Sequence, residues 1–184
     1  NFRDVGENRE EVRGRLRGCF NNYLGGNISC SYSNTQGIYN CLLLIANPHS
    51  LEFSLIEGEH VAGFGDEDVS EVSAWSQVTP NLPYVLCKQF TNLNNLMIIA
   101  SGVQFLTPKS FEFCHNLEEV AILLNHLVEI PANLFQNSPK LRFANFDLNE
   151  IEVIDESAFS GTENSLQVAS FVTNAISTLP FGLF

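Results

Sequence analysis

Basic side chains are scarce in this chain. Nine Lys and Arg stand against 21 acids among 184 residues, for a formal charge of -12. The deficit is uneven: residues 1–18 hold five Arg and four acids, so the other 166 carry four Lys or Arg against 17 acids, a balance of -13. Phosphate backbones are held by basic faces, so this composition argues against nucleic acid as a partner. Long apolar runs are missing as well. None exceeds about half a dozen residues, far short of the roughly 20 that cross a bilayer, so no membrane span is expected in this chain. The start carries no signal-peptide pattern, so a secreted protein would be numbered here from beyond its cleavage point.

Catalytic motifs are equally absent. His49, His60, His115 and His126 are scattered, with no second His or Cys at metal-ligand spacing, no H-E-x-x-H and no C-x-x-C. There is no G-x-S-x-G elbow and no phosphate-binding glycine loop. Paired acids such as Glu118 and Glu119 read as a solvated face. Neither a catalytic residue, a metal ligand nor a cofactor is implied, and an enzyme is not expected.

What the chain does have is a period. Leu117, Val120, Ile122, Asn125, Leu127, Ile130, Pro131 and Phe135 are followed by Leu141, which opens the same pattern 24 residues after Leu117. The unit is an apolar strand, a polar residue just past it, and a return segment that buries further apolar groups. Leu93, Leu96, Ile98, Ser101, Val103, Leu106 and Phe111 fit one unit upstream; Leu141, Phe146, Asn149, Ile151, Ile154 and Phe159 fit one downstream, with the small Ala144 in an apolar place. Leu166, Phe171, Asn174, Ile176, Leu179 and Phe184 make a further unit. Val69, Val72, Ala74, Gln77, Thr79 and Leu82 make the first, with Cys87 where the others carry Phe. This pattern resembles the leucine-rich repeat.

That resemblance implies an α/β solenoid, a horseshoe with a parallel sheet on its concave side. Units are expected at 69–92, 93–116, 117–140, 141–165 and 166–184, the last incomplete. Gln77, Ser101, Asn125, Asn149 and Asn174 should form a ladder that satisfies backbone groups where the chain leaves each strand. Phe111, Phe135, Phe159 and Phe184 should stack as a spine. A solenoid exposes core at its ends unless they are capped.

Residues 1–27 read as an N-terminal helical segment. Asn8 suits an N-cap with Glu11 three residues on, and Val12, Leu16, Phe20 and Leu24 recur down one side of 8–24. Gly14 and Gly18 weaken this helix, and Gly25 and Gly26 end it. Two readings are open: a helix docked on the first strands as part of the cap, or a free amphipathic segment carrying Arg13, Arg15 and Arg17 that engages a partner. Residues 28–68 read as a cap, with strands at Ile28–Tyr32 and Tyr39–Ala46 joined by the loop Ser33–Ile38. Cys30 and Cys41 face each other across that hairpin at bridging distance. A cysteine-bearing cap resembles those of extracellular leucine-rich-repeat proteins, and the run Leu51, Phe53, Leu55, Gly58, His60, Gly63, Phe64, Asp68, Val69 resembles the cap of secreted insect members.

Cys87 and Cys114 fall at neighbouring places in adjacent return segments, so a second bridge is expected there, leaving Cys19 unpaired. Five reduced cysteines in a cytosolic protein is the competing reading. Asn27-Ile28-Ser29 is the one N-glycosylation sequon and accords with secretion.

The register also names the outward strand positions. Among them Trp75, Met97, Ile99, Leu123, Phe143 and Val172 make an apolar stripe where a solvated face would be polar. It reads either as a partner-binding surface anchored by Trp75, Phe143 and Leu123, or as a surface covered by the N-terminal helix or by curvature. The leading expectation is an extracellular, non-enzymatic module that recognises a protein ligand. The alternative is a self-assembling structural protein that joins copies through its apolar face, its open C-terminal end and Cys19. A chain that stops inside a unit is also what a fragment of a longer repeat protein looks like.

Overall fold

The computed structural model describes residues 28–46 and 55–183. The expected helix over 8–24, Cys19, Asn27 and Phe184 lie outside the described residues. Ten strands are described: β1 (Ile28–Thr35), β2 (Ile38–Ile45), β3 (Ile56–Glu57), β4 (Glu71–Trp75), β5 (Asn95–Ile99), β6 (Glu119–Leu123), β7 (Glu129–Ile130), β8 (Phe143–Asn145), β9 (Val153–Ile154) and β10 (Val168–Ser170). The short helix α1 (Val85–Gln89) follows β4. Eight strands make one sheet in the order β10-β8-β6-β5-β4-β2-β1-β3, and β7 pairs with β9 in a second.

From β4 onward the large sheet is parallel, and its register is the sequence period. Glu71 pairs with Asn95, Asn95 with Glu119, Glu119 with Phe143 and Phe143 with Val168. Each turn of the chain therefore lays one strand beside the last. Because strand side chains alternate, Val72 and Ala74, Leu96 and Ile98, and Val120 and Ile122 all point inward and are buried. Directly after β4, β5 and β6, and three residues past the shorter β8 and β10, stands a residue with positive φ: Ser76 at 52°, Ala100 at 50°, Leu124 at 55°, Leu148 at 59° and Thr173 at 58°. This left-handed residue turns the chain so that the next one enters the interior.

That next residue is the ladder. Asn125 Oδ1 accepts from the Ser101 and Val103 amides at 3.0 and 3.1 Å, while its Nδ2 donates to the Ile98 and Leu123 carbonyls at 3.0 and 2.8 Å. Asn149 repeats the bonds one unit on, reaching the Leu127 amide and the Ile122 carbonyl, and Asn174 reaches the Ile151 amide and the Phe146 carbonyl. At the other end Gln77 Oε1 accepts from the Ile45 amide of β2 at 2.9 Å, which joins the ladder to the hairpin. Below it Phe135 lies 4.8 Å from Phe111 and 5.5 Å from Phe159, and all three are buried. In the first unit Cys87 bonds to Cys114, with 4.9 Å between Cα atoms. Phe90, fully buried three residues on, meets Tyr32 of the hairpin edge-on at 6.3 Å.

The hairpin departs from expectation. Its first strand runs on to Thr35, past the expected Ile28–Tyr32, its second is shifted by one residue from the expected Tyr39–Ala46, and the polar loop shrinks to Gln36 and Gly37, with φ of 54° and 85°. Two consecutive positive φ values suit a two-residue turn whose twist matches the flanking strands. The tight turn fixes a register in which Cys30 pairs with Leu43 and Tyr32 with Cys41. The Cys30–Cys41 disulfide is therefore diagonal, not straight across. Both cysteines still share the inward face, because they sit two residues out of step, and their Cα atoms are 5.2 Å apart.

At the β10 end Phe171 is half-buried and stacks on Phe146 at 5.6 Å, while Leu179 is exposed.

A candidate binding face on the sheet

The outward side chains of the sheet stand in three rows across the strands. The row at the strand starts holds Glu71, Asn95, Glu119, Phe143 and Val168; the middle row holds Leu42, Ser73, Met97, Ala121, Asn145 and Ser170. The third row holds Trp75, Ile99 and Leu123 and runs on in the same step to Asp147 and Val172.

The expected stripe is thus only partly one surface. Trp75, Ile99 and Leu123 are direct neighbours, and Met97 stands beside them in the middle row. Phe143 lies two rows away at the start of β8, where the Arg142 guanidinium sits over its ring at 5.3 Å. Val172 is cut off from Leu123 by Asp147, whose Oδ1 accepts from the Ser170 hydroxyl and the Val172 amide, both at 2.6 Å. A flat count of outward apolar residues could not register that break, since it ignores which row each one occupies.

Two members of the face were missed. In β2 the buried Tyr39, Cys41 and Leu43 alternate with Ile38, Leu42 and Leu44, which are exposed. Leu42 is level with Ser73, so Leu44, two residues on, is level with Trp75. The signal was legible: an inward Cys41 in a strand implies outward Leu42 and Leu44 on either side of Leu43. The outward positions counted from sequence are those of the repeats alone, so the cap strand does not enter them. The resulting patch is Leu42, Leu44, Trp75, Met97, Ile99 and Leu123, with Trp75 52% exposed. Polar rows bound it on both sides: Ser29, Ser31 and Ser33 on β1, then Asn145, Asp147 and Ser170 beyond β6. Its charged residues are Glu71, Glu119 and Asp147, with no Lys or Arg among the outward positions of the described strands.

A second cluster lies behind the hairpin. The Tyr39 hydroxyl accepts from the Val61 amide at 3.0 Å and so has its proton free for His60 Nδ1 at 2.9 Å. That leaves His60 Nε2–H to donate to Asp66 at 3.0 Å. Gln89 of α1 closes the chain, giving its amide to Asp66 and bracketing the backbone of Ile56 with bonds of 2.8 Å at both ends. Tyr32 stacks on His60 at 4.0 Å, and its buried hydroxyl finds no partner among the described residues. Burial pushes the Tyr32 phenol up to about 12, with Asp66 and then Tyr39 adding to the rise. The line of Asp66, His60 and Tyr39 has the donor order of a proton relay, but Tyr39 is only 3% exposed, which withholds it from any substrate. The cluster is a clasp between hairpin, loop and α1. His126 pairs with Glu150 at 2.7 Å in the open, as a surface position should.

The sequence profile described as BspA type Leucine rich repeat region matches residues 78–179 in six copies. The curated "Leucine-rich repeat-containing protein 3" of Danio rerio is 26% identical over 87 residues, which is 47% of this chain and 33% of that protein. Among solved structures, the crystal structure of a TLR13–ssRNA13 complex superposes with a TM-score of 0.58 at 19% identity, covering 61% of this chain and 16% of that one. This chain therefore spans about a third of the zebrafish protein's length and much less of the TLR13 chain. The structural likeness is one of fold.

Proposed function

Because the chain belongs to the BspA-type leucine-rich-repeat family, we propose that it is an extracellular, non-enzymatic binding module whose open sheet face takes a protein ligand. The observation that carries this reading is the patch of Leu42, Leu44, Trp75, Met97, Ile99 and Leu123, apolar at its centre and polar at both margins. Protein contact sites have that composition, and an exposed tryptophan at the centre is the residue type that dominates their energetics. The acids on this face, and the -13 balance beyond residue 18, favour a protein over a nucleic acid, although the TLR13 structure was solved with RNA. Two disulfides support an oxidising compartment.

A random-peptide library displayed on phage and panned against the full chain tests the surface without knowledge of the ligand. Enriched peptides should lose about ten-fold or more in affinity on Leu123→Glu or Trp75→Ala, a loss worth ~1.4 kcal/mol, while Val153→Glu on the exposed edge of β9 leaves them unchanged. Peptides indifferent to both face substitutions would sink the proposal. Light scattering over a dilution series, with and without reductant, separates recognition from self-assembly: a constant monomer mass keeps the former, and a mass that climbs with concentration replaces it with the latter.

A further inference from the structure

We infer that the protein ligand of this face presents a basic amphipathic helix, laid across β2, β4, β5 and β6 with its apolar stripe on the row of Leu44, Trp75, Ile99 and Leu123 and its Lys or Arg residues over Glu71 and Glu119. The inference rests on the reading of the face as a contact surface and gives its ligand a shape and a charge.

Backbone satisfaction makes the first argument. The patch lies on β2, β4, β5 and β6, each of which has a hydrogen-bonded neighbour on both sides. An extended peptide laid over them finds no free edge to pair with, and its amides would lose water on an apolar surface without gaining partners. A helix brings its own backbone bonds. Spacing favours it too. Leu44, Trp75, Ile99 and Leu123 stand on successive strands, so they recur every ~4.8 Å. Helix positions i+3, i+7 and i+10 lie ~4.5, ~10.5 and ~15 Å beyond position i, against ~4.8, ~9.6 and ~14.4 Å for the strands. Alternate residues of an extended chain advance by about 6.8 Å and fall between the strands.

Charge fixes the sign. Half-buried Glu71 and exposed Glu119 stand in the row at the strand starts, two strands apart, with Asn95 between them giving its amide to Glu119 at 3.4 Å. That separation is ~9.6 Å, close to the ~10.5 Å between helix residues i and i+7. Among the described residues no Lys or Arg pairs with either acid: Arg142, just before β8, is 3.8 Å from Glu118 and lies over the Phe143 ring. The row of these acids and the row of Trp75 are four residues apart along β4, ~13 Å, which one helix of about 10–12 Å in diameter covers with its flank. Lysine or arginine on that flank reaches the carboxylates while the apolar stripe stays on the third row. A second copy of this face would bring acids to acids, so charge disfavours it as the occupant.

Trp75 is the single tryptophan of the chain and is half-exposed, so its emission reports what lands on it. The probe is a tryptophan-free, side-chain-stapled helix of about four turns, with Leu at i, i+3, i+7 and i+10 and Lys along one margin. Its twin carries Glu in place of Lys, and a third peptide has the composition of the first in scrambled order. Titrated into the full chain, the Lys helix should shift Trp75 emission to the blue and saturate, while the Glu twin and the scrambled peptide bind at least about ten-fold more weakly. Leu123→Glu should weaken the Lys helix about ten-fold or more, and added salt should weaken it in the parent but less in the double variant Glu71→Gln, Glu119→Gln. The reversal Glu71→Lys, Glu119→Lys should transfer the preference to the Glu twin, a gain that misfolding cannot imitate. Equal binding of the two helices, or a scrambled peptide that binds as tightly, would overturn the inference; so would a charge reversal that leaves the preference unchanged. If displayed peptides still depend on Leu123 in that case, the contact surface stands and only its helical, basic occupant falls; if they do not, both fall.

Discussion

The hairpin end and the repeats solve the same problem by opposite means. Between Cys30 and Gln89 the fold relies on contacts made once: a diagonal disulfide, the Tyr32–His60 stack at 4.0 Å, and the bonded line of Tyr39, His60, Asp66 and Gln89. From β5 onward the same contacts recur, a ladder side chain per turn, Ser101 and then Asn125, Asn149 and Asn174, with a spine phenylalanine at Phe111, Phe135 and Phe159. A repeat has a neighbour on each side, and its stability is a sum of near-identical interfaces. The hairpin continues the sheet from one side and cannot reuse that interface on its other. It substitutes covalent and polar links that the period does not supply.

That contrast can be broken at its strongest point first. Phe135 touches Phe111, Phe146 and Phe159, so Phe135→Ala should cost about 3–5 kcal/mol in urea unfolding, and a loss near zero would mean that the spine carries no weight. Replacing either disulfide by a serine pair should cost about 3 kcal/mol, with Cys87–Cys114 the dearer because it spans 27 residues and Cys30–Cys41 only 11. The reverse order would show that the clasp depends on its bridge beyond chain entropy. Asn125→Ala strands two buried amides and a buried carbonyl, a loss of about 2–3 kcal/mol; Gln77→Ala, at the junction with the hairpin, should cost about 1 kcal/mol. Equal losses would mean that the ladder is as strong at its end as in its middle. Smallest, and opposite in sign, Leu124→Asn should raise stability by about 0.5–1 kcal/mol, because an exposed leucine at φ 55° holds a conformation that asparagine tolerates better.

Much of the repeat region could be read in advance because stacking imposes a residue type on each position. Asn125, Asn149 and Asn174 recur where a side chain must both donate to and accept from backbone, and Phe111, Phe135 and Phe159 where one large ring must fill each layer. The Cys87–Cys114 disulfide followed from the same register, and Cys30–Cys41 from the hairpin. The candidate face was less legible. Trp75, Ile99 and Leu123 came out as neighbours, but Phe143 and Val172 did not join them, and Leu42 with Leu44 had been left out. Outwardness is a local property of strand alternation, whereas membership of one patch depends on which rows meet. The clasp was not visible at all: Tyr39 and His60 are 21 residues apart, and His60 looked like one of four scattered histidines.

The sequence by itself determined the turn of the solenoid, the inward face of its strands, the ladder, the spine and which cysteines could bond. All but the hairpin bridge Cys30–Cys41 follow from a period that brings residue i against residue i+24, so chemistry repeated along the chain becomes chemistry stacked in space. Only the tertiary structure decided that the hairpin extends the sheet, that its leucines complete an apolar patch beside Trp75, and that His60 is spent on holding Tyr39 and Asp66. Those outcomes depend on contacts that occur once and on a two-residue turn that sets the register of everything beside it. A single occurrence leaves no period to read.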